Sequence, residues 1–93
     1  MAAGREVNNA SRVTLRVAET NPKSVGRGIA LLDPQIMDDL GLTTGDIIEV
    51  NGAKKSHLLL WSPQPDDRGK RLMRIDGYTR NNIGGGIDDR VAI

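Results

Sequence analysis

Leu32-Asp-Pro-Gln-Ile-Met-Asp-Asp-Leu-Gly-Leu-Thr-Thr-Gly-Asp-Ile-Ile-Glu-Val50 and Ile75-Asp-Gly-Tyr-Thr-Arg-Asn-Asn-Ile-Gly-Gly-Gly-Ile-Asp-Asp-Arg-Val-Ala-Ile93 are two versions of one pattern, 43 residues apart. Each opens on an aspartate after an apolar residue, Asp33 and Asp76. A carboxylate there can accept the orphan N–H groups of a helix start. Pro34 suits the first helical position, where no donor is needed. Ile36, Met37 and Leu40 share one apolar face of a short helix. Gly41 and Gly84 stand where a helix ends in a left-handed residue. A tight turn then leads to a second aspartate, Asp46 or Asp89, and a final apolar strand.

The register continues outward without a gap. Leu15 falls on Leu58, Pro22 on Pro65 and Gly26 on Gly69, with Arg27 over Lys70 and Ile29 over Leu72. Val13 to Ala18 alternates apolar and polar residues, the period of a half-buried strand. Asn21 to Gly26 is a loop, Gly28 to Leu32 a second strand, and Ile47 to Val50 a third. Asn51-Gly52 is a turn, with Lys54 and Lys55 on the connection. The second copy repeats the order: strand His57 to Ser62, polar loop Pro63 to Lys70, strand Leu72 to Ile75, helix Tyr78 to Ile83, strand Arg90 to Ile93. A gapless repeat means that one structural unit occurs twice. Two strand–strand–helix–strand units predict an all-β fold with two short helices. Its six strands close into a barrel about a pseudo-twofold axis, each copy completing the other's sheet and leaving no exposed edge. Repeat one is assigned to residues 12–50, repeat two to 55–93, and residues 1–11, small and polar, to a mobile leader.

Composition narrows the function. Thirteen basic and twelve acidic residues leave a net charge of +1, which gives no overall pull toward nucleic acid or an anionic membrane. There is no cysteine, so the chain is not a disulfide-stapled secreted domain, and an intracellular, cytoplasmic setting is expected. A single histidine excludes the usual Cys/His zinc site, and no metal or cofactor is expected. The longest apolar run, Leu58 to Trp61, is far too short to span a bilayer. No phosphate-cradling Gly-x-x-x-x-Gly-Lys motif is present, and Gly84-Gly-Gly86 reads as a helix stop.

Arg74-Ile-Asp-Gly-Tyr-Thr-Arg-Asn-Asn-Ile83, followed by Gly86-Ile-Asp-Asp89, resembles a signature of the N-terminal domain of valosin-containing-protein-like AAA ATPases. Leu40-Gly-Leu-Thr-Thr-Gly-Asp-Ile-Ile-Glu-Val50 and Leu15-Arg-Val-Ala-Glu19 are similar to the same family in its archaeal form. The likeness covers about residues 12–93. It implies a double-psi β-barrel, the first half of a two-part region above a hexameric ATPase ring, which recruits client or adaptor proteins while the ATPase modules hydrolyse ATP and unfold. The companion subdomain and the ring would be its other partners. By alignment, Ile29, Thr43, Trp61 and Pro63 would lie along the cleft where the family docks adaptors. One departure is that Gly84, Gly85 and Gly86 replace arginines that many members carry there, which argues against a charged contact with the ring from this loop.

The remaining residues are weighed against architecture. Asp33, Asp76, Asp46 and Asp89 recur at equivalent turns, which marks caps and anchors. Arg80, Asn81 and Asn82 are read as structural, the side-chain amides satisfying backbone groups in the crossed loops. The paired carboxylates Asp38-Asp39, Asp66-Asp67 and Asp88-Asp89 are read as solvated surface and no catalytic residue is assigned, since neighbours in sequence point apart. Lys54, Lys55, Lys70, Arg71 and Arg74 are read as a solvated basic face. Trp61 has two readings, a recognition aromatic or a plug for one end of a core poor in aromatics. The expected function is non-catalytic recognition of client or adaptor proteins. The alternative is a DNA-binding barrel of the swapped-hairpin type, and a barrel enzyme is a distant third.

Overall fold

The computed structural model describes residues 13–93 and a two-residue strand, β1 (Glu6–Val7). The expectation of a mobile leader therefore falls mostly outside the described residues, and Glu6–Val7 pairs in parallel with Ile47–Ile48. Six longer strands follow: β2 (Thr14–Glu19), β3 (Ile29–Leu32), β4 (Ile47–Asn51), β5 (Lys55–Leu60), β6 (Leu72–Ile75) and β7 (Arg90–Ala92). Helices α1 (Pro34–Leu40) and α2 (Gly77–Ile83) lie between the second and third strands of each repeat. The two polar loops each hold a 3-10 turn, Pro22–Ser24 and Pro65–Asp67, at equivalent positions. The strand expected from His57 to Ser62 runs instead from Lys55 to Leu60. The close β4–β5 hairpin, with Asn51 opposite Lys55, pulls the basic residue into the ladder.

The pairing closes a barrel. β2 runs parallel to β6 and antiparallel to β7; β5 runs parallel to β3 and antiparallel to β4. β3–β6 and β4–β7 are antiparallel and complete the ring. Exchanging the repeats interchanges β2–β6 with β3–β5 and β2–β7 with β4–β5, and maps β3–β6 and β4–β7 onto themselves, which is the pseudo-twofold relation the repeat predicts. Every barrel ladder joins one repeat to the other. Leu15, Val17, Leu32, Val50, Leu60, Met73, Ile75 and Val91 point inward and are buried, with Ile36, Met37 and Ile83 closing over them from the helices.

Asp33 and Asp76 cap their helices as expected, and each also reaches across the axis. Asp33 Oδ1 accepts the N–H of Gln35 at 2.8 Å in its own helix and that of Gly69 at 2.9 Å in the other repeat. Its Oδ2 accepts the N–H of Arg71 at 2.7 Å. Asp76 mirrors this, with Oδ1 on the N–H of Thr79 at 2.7 Å and Oδ2 on the N–H of Gly26. Burial is the strongest single influence on both carboxyls and opposes their ionisation. The backbone donors, joined at Asp76 by the Thr79 side chain and the charge of Arg80, outweigh it and hold both pKa values below the ordinary 3.8. Asp46 and Asp89 anchor the later turns through the N–H of Thr43 at 3.0 Å and of Gly86 at 2.8 Å. Gly41 and Gly84 both end their helices at φ 67. At Gly52 the reason for glycine is space, since a Cβ would sit 2.6 Å from the carbonyl oxygen of Ile83.

Three consequences can be measured. Asp33→Asn keeps the volume but turns an NH₂ toward backbone donors, and chemical denaturation should show a loss of about 2 kcal/mol. A carboxyl whose folded pKa is depressed stabilises above its unfolded pKa, and that contribution is lost as pH falls through the folded value. Thermal midpoints should therefore hold until pH drops below the ordinary value of 3.8 and fall from there, with a smaller acid loss in Asp33→Asn. Finally, a peptide of residues 1–53 should show no strand signal by circular dichroism as a monomer, and should regain it on mixing with residues 54–93.

Candidate recognition groove

Trp61 follows β5 directly, and its N–H donates to the carbonyl of Ala30 on β3 at 3.1 Å. Its backbone is thus held by the neighbouring strand while its side chain stays 46% exposed. It lies outside the core cluster, so the plug reading is corrected: the barrel end is filled by aliphatic side chains. Trp61 instead borders an open groove of about 440 Å³. Ile29 and Leu31, alternate residues of β3, are buried and line it; Asn21, Lys23, Ser24 and Arg27 come from the loop before β3, and Ser62 and Gln64 from the chain after Trp61.

The opposite repeat explains why this groove is open. Leu31 corresponds to Arg74, Ser24 to Asp67, Ser62 to Glu19 and Trp61 to Ala18. In the second repeat Arg74 lays its guanidinium across the equivalent space. Its Nε and Nη2 donate to the two oxygens of Asp67 at 2.7 and 2.9 Å, and its Nη1 donates to the Glu19 carbonyl at 2.9 Å. Asp67 is 1% exposed and Arg74 26% exposed, and this hydrogen-bonded ion pair raises the Arg74 pKa further. The first repeat has neither the arginine nor the acid. Leucine and serine are too short to span the space, so a closed clasp on one side becomes a groove on the other.

The four residues expected at the docking cleft are not all brought together. Ile29 and Trp61 line the groove, and Pro63 lies between the lining residues Ser62 and Gln64. Thr43 is exposed in the turn before β4, where its backbone N–H serves Asp46, and it is not part of the groove lining. The structure adds Leu31, Ser24, Lys23 and Arg27. For three of them the signal was present in the sequence as positions where the repeat breaks, Leu31 against Arg74, Ser24 against Asp67 and Lys23 against Asp66, whereas Arg27 matches Lys70 and gave none.

Other expectations change. Asp67 is not a solvated carboxylate, because Arg74 draws it inside, and this also removes Arg74 from the free basic face. The backbone bond expected of the side-chain amides is made instead by Arg80, whose Nη1 donates to the carbonyl of Ile75 and to Glu19 Oε1, both at 2.9 Å. Asn81 and Asn82 are both exposed, and among the described hydrogen bonds neither side-chain amide takes part. The guanidinium has the reach to turn back over the helix start, whereas the amides sit on the solvent side of α2. Among the described residues no group of three or more His, Cys, Asp or Glu is placed to hold a metal ion, and no helix is long and apolar enough to cross a membrane.

A closed, interleaved, six-stranded barrel of this kind is a double-psi β-barrel, and known proteins share it. The double-psi β-barrel domain of a valosin-containing-protein-like ATPase from Aeropyrum pernix is 38% identical with a TM-score of 0.81, covering 88% of this chain and 92% of that one. The rationally designed mkDPBB_sym2 protein is 35% identical with a TM-score of 0.82, over 88% of this chain and 95% of its own. The Cell division cycle protein 48 homolog of Archaeoglobus fulgidus is 49% identical over 81 residues, which is 87% of this chain and 11% of that protein. Protein CdcH of Halobacterium salinarum is 43% identical over 83 residues, again 11% of its length. Residues 14–93 match the family described as Cell division protein 48 (CDC48), N-terminal domain, and the chain belongs to that family. It spans about a tenth of the length of these curated relatives, in their N-terminal rather than their ATPase domain.

Removing the guanidinium should test the closed side. Arg74→Met leaves Asp67 buried with no cation, and urea denaturation should report a loss of roughly 2 kcal/mol, below the range for a fully buried pair because Arg74 is part exposed.

Proposed function

We propose that this chain is a non-catalytic module that recognises client or adaptor proteins within the N-terminal region of a larger, hexameric AAA ATPase, working in the cytoplasm beside a companion subdomain and above an ATP-driven unfolding ring. The observation that carries the reading is the broken symmetry at Trp61. One side of a pseudo-symmetric barrel keeps its clasp, and the other exposes an indole beside an aliphatic floor. An amphipathic aromatic flanked by aliphatic side chains is the composition of a binding hot spot. Ile29 and Leu31 supply a floor that is rigid because β3 is hydrogen-bonded on both sides, to β5 and β6. Pro63 stiffens the chain leaving the groove. Thr43 would contribute only through a partner large enough to reach the neighbouring turn. Membership of the CDC48 N-terminal domain family supports the reading, since the resemblance implies recruitment at this surface.

The experiment is a binding assay of the chain with a reduced, alkylated, permanently unfolded protein, run beside a duplex-DNA titration at two salt concentrations. Trp61→Ala should weaken client binding about tenfold or more, as hot-spot aromatics do, with an unchanged thermal midpoint because the indole is outside the core. The reading fails if Trp61→Ala binds the client as the parent chain does. It also fails if the chain binds duplex DNA with an affinity that collapses as salt rises, the mark of phosphate contacts.

A further inference from the structure

The groove has a charge as well as an apolar floor. Two of its lining residues, Lys23 and Arg27, are cations, and none is a carboxylate. Both are exposed, and neither has an ion pair or side-chain hydrogen bond among the described residues. Several other exposed cations of the chain share this state, but the arginine at the equivalent closed cleft does not: Arg74 is matched to Asp67 at 2.7 Å. The pseudo-symmetric side sharpens the point. Lys23 and Ser24 stand where the second repeat has Asp66 and Asp67. The 3-10 turn that is acidic on the closed side is basic on the open side. The closed space is filled by a cation from within the chain, and the open one offers cations with nothing to neutralise them.

We infer that the groove takes an acidic–apolar peptide segment, in which an aliphatic side chain lies on Ile29 and Leu31 against Trp61 and flanking Asp or Glu residues meet Lys23 and Arg27. The inference rests on the groove being the recognition site and goes further by naming the chemistry of the partner. Apolar burial supplies the anchor, and charge at the rim selects the partner and speeds its encounter. Asn21 and Gln64, on opposite repeats, can offer side-chain amides to the backbone of an extended segment. A basic segment is disfavoured because each of its charges would face Lys23 or Arg27 with no acid in the lining to offset them.

Three fluorescein-labelled peptides of equal length test this by anisotropy. They share a Leu-Ile centre and differ only in its flanks: aspartates, asparagines or lysines. The aspartate peptide should bind about tenfold tighter than the asparagine peptide, an advantage that shrinks at high salt as rim charges are screened. The lysine peptide should be the weakest. Combining Lys23→Glu with Arg27→Glu, both at exposed positions, should reverse the order and favour the lysine peptide, with an unchanged circular dichroism spectrum. Trp61→Ala should weaken all three. Equal binding of the aspartate and asparagine peptides, lost on Trp61→Ala, would overturn the charge inference while leaving the groove as the recognition site. Binding that ignores Trp61→Ala, or no binding of any peptide, would overturn both.

Discussion

Of the six barrel strands, none hydrogen-bonds to a strand of its own repeat. Each half supplies three strands whose barrel ladders are formed with the other half, the short β1 adding only a two-residue pairing to β4. Unpaired backbone groups in a buried sheet are costly, so neither repeat has a stable sheet alone, and the barrel forms as one cooperative unit. Asp33 and Asp76 act at the same place. Each caps its own helix and also holds the loop of the opposite repeat, Gly69 and Arg71 on one side and Gly26 on the other. The carboxylates thus join local helix initiation to long-range assembly. Their depressed pKa values follow mainly from the same donors, so helix capping, clasping and acid sensitivity share one cause.

A pseudo-twofold scaffold of this kind separates what must be kept from what can diverge. Positions that make the crossing work stay equivalent: Asp33 with Asp76, Gly41 with Gly84, Asp46 with Asp89. Positions facing the outer clefts do not. Arg74, Asp67 and Ala18 close one cleft by charge and small volume, while Leu31, Ser24 and Trp61 leave the other open and apolar. The scaffold tolerates this because the cleft residues are not the ones whose backbone groups close the ladders. At the open cleft Trp61 is anchored through its backbone N–H to Ala30 of the other repeat, so the exposed indole costs the sheet nothing in pairing.

Much of the fold was legible from residues alone because its determinants are local. Asp33 before Pro34, and Gly41 and Gly84 after apolar helical faces, report caps whose geometry involves only a few neighbouring residues. The alternation in Val13 to Ala18 reports a half-buried strand. The groove was only half legible. Trp61 and Ile29 were found, but Thr43 was placed with them although it serves a different turn. Asp67 read as a surface carboxylate, since nothing next to it in sequence says that Arg74, on the following strand, would draw it inward. Asn81 and Asn82 were given a structural task that Arg80 performs, because side-chain reach and direction are set by how α2 sits on the barrel.

The sequence by itself determined the unit, its duplication and the residues that start and stop each helix, since these depend on local backbone chemistry and on a repeat visible at fixed spacing. Tertiary structure alone decided which equivalent positions meet across the axis. Whether leucine leaves a groove where arginine closes one depends on distances between strands far apart in the chain, and no local pattern carries that information.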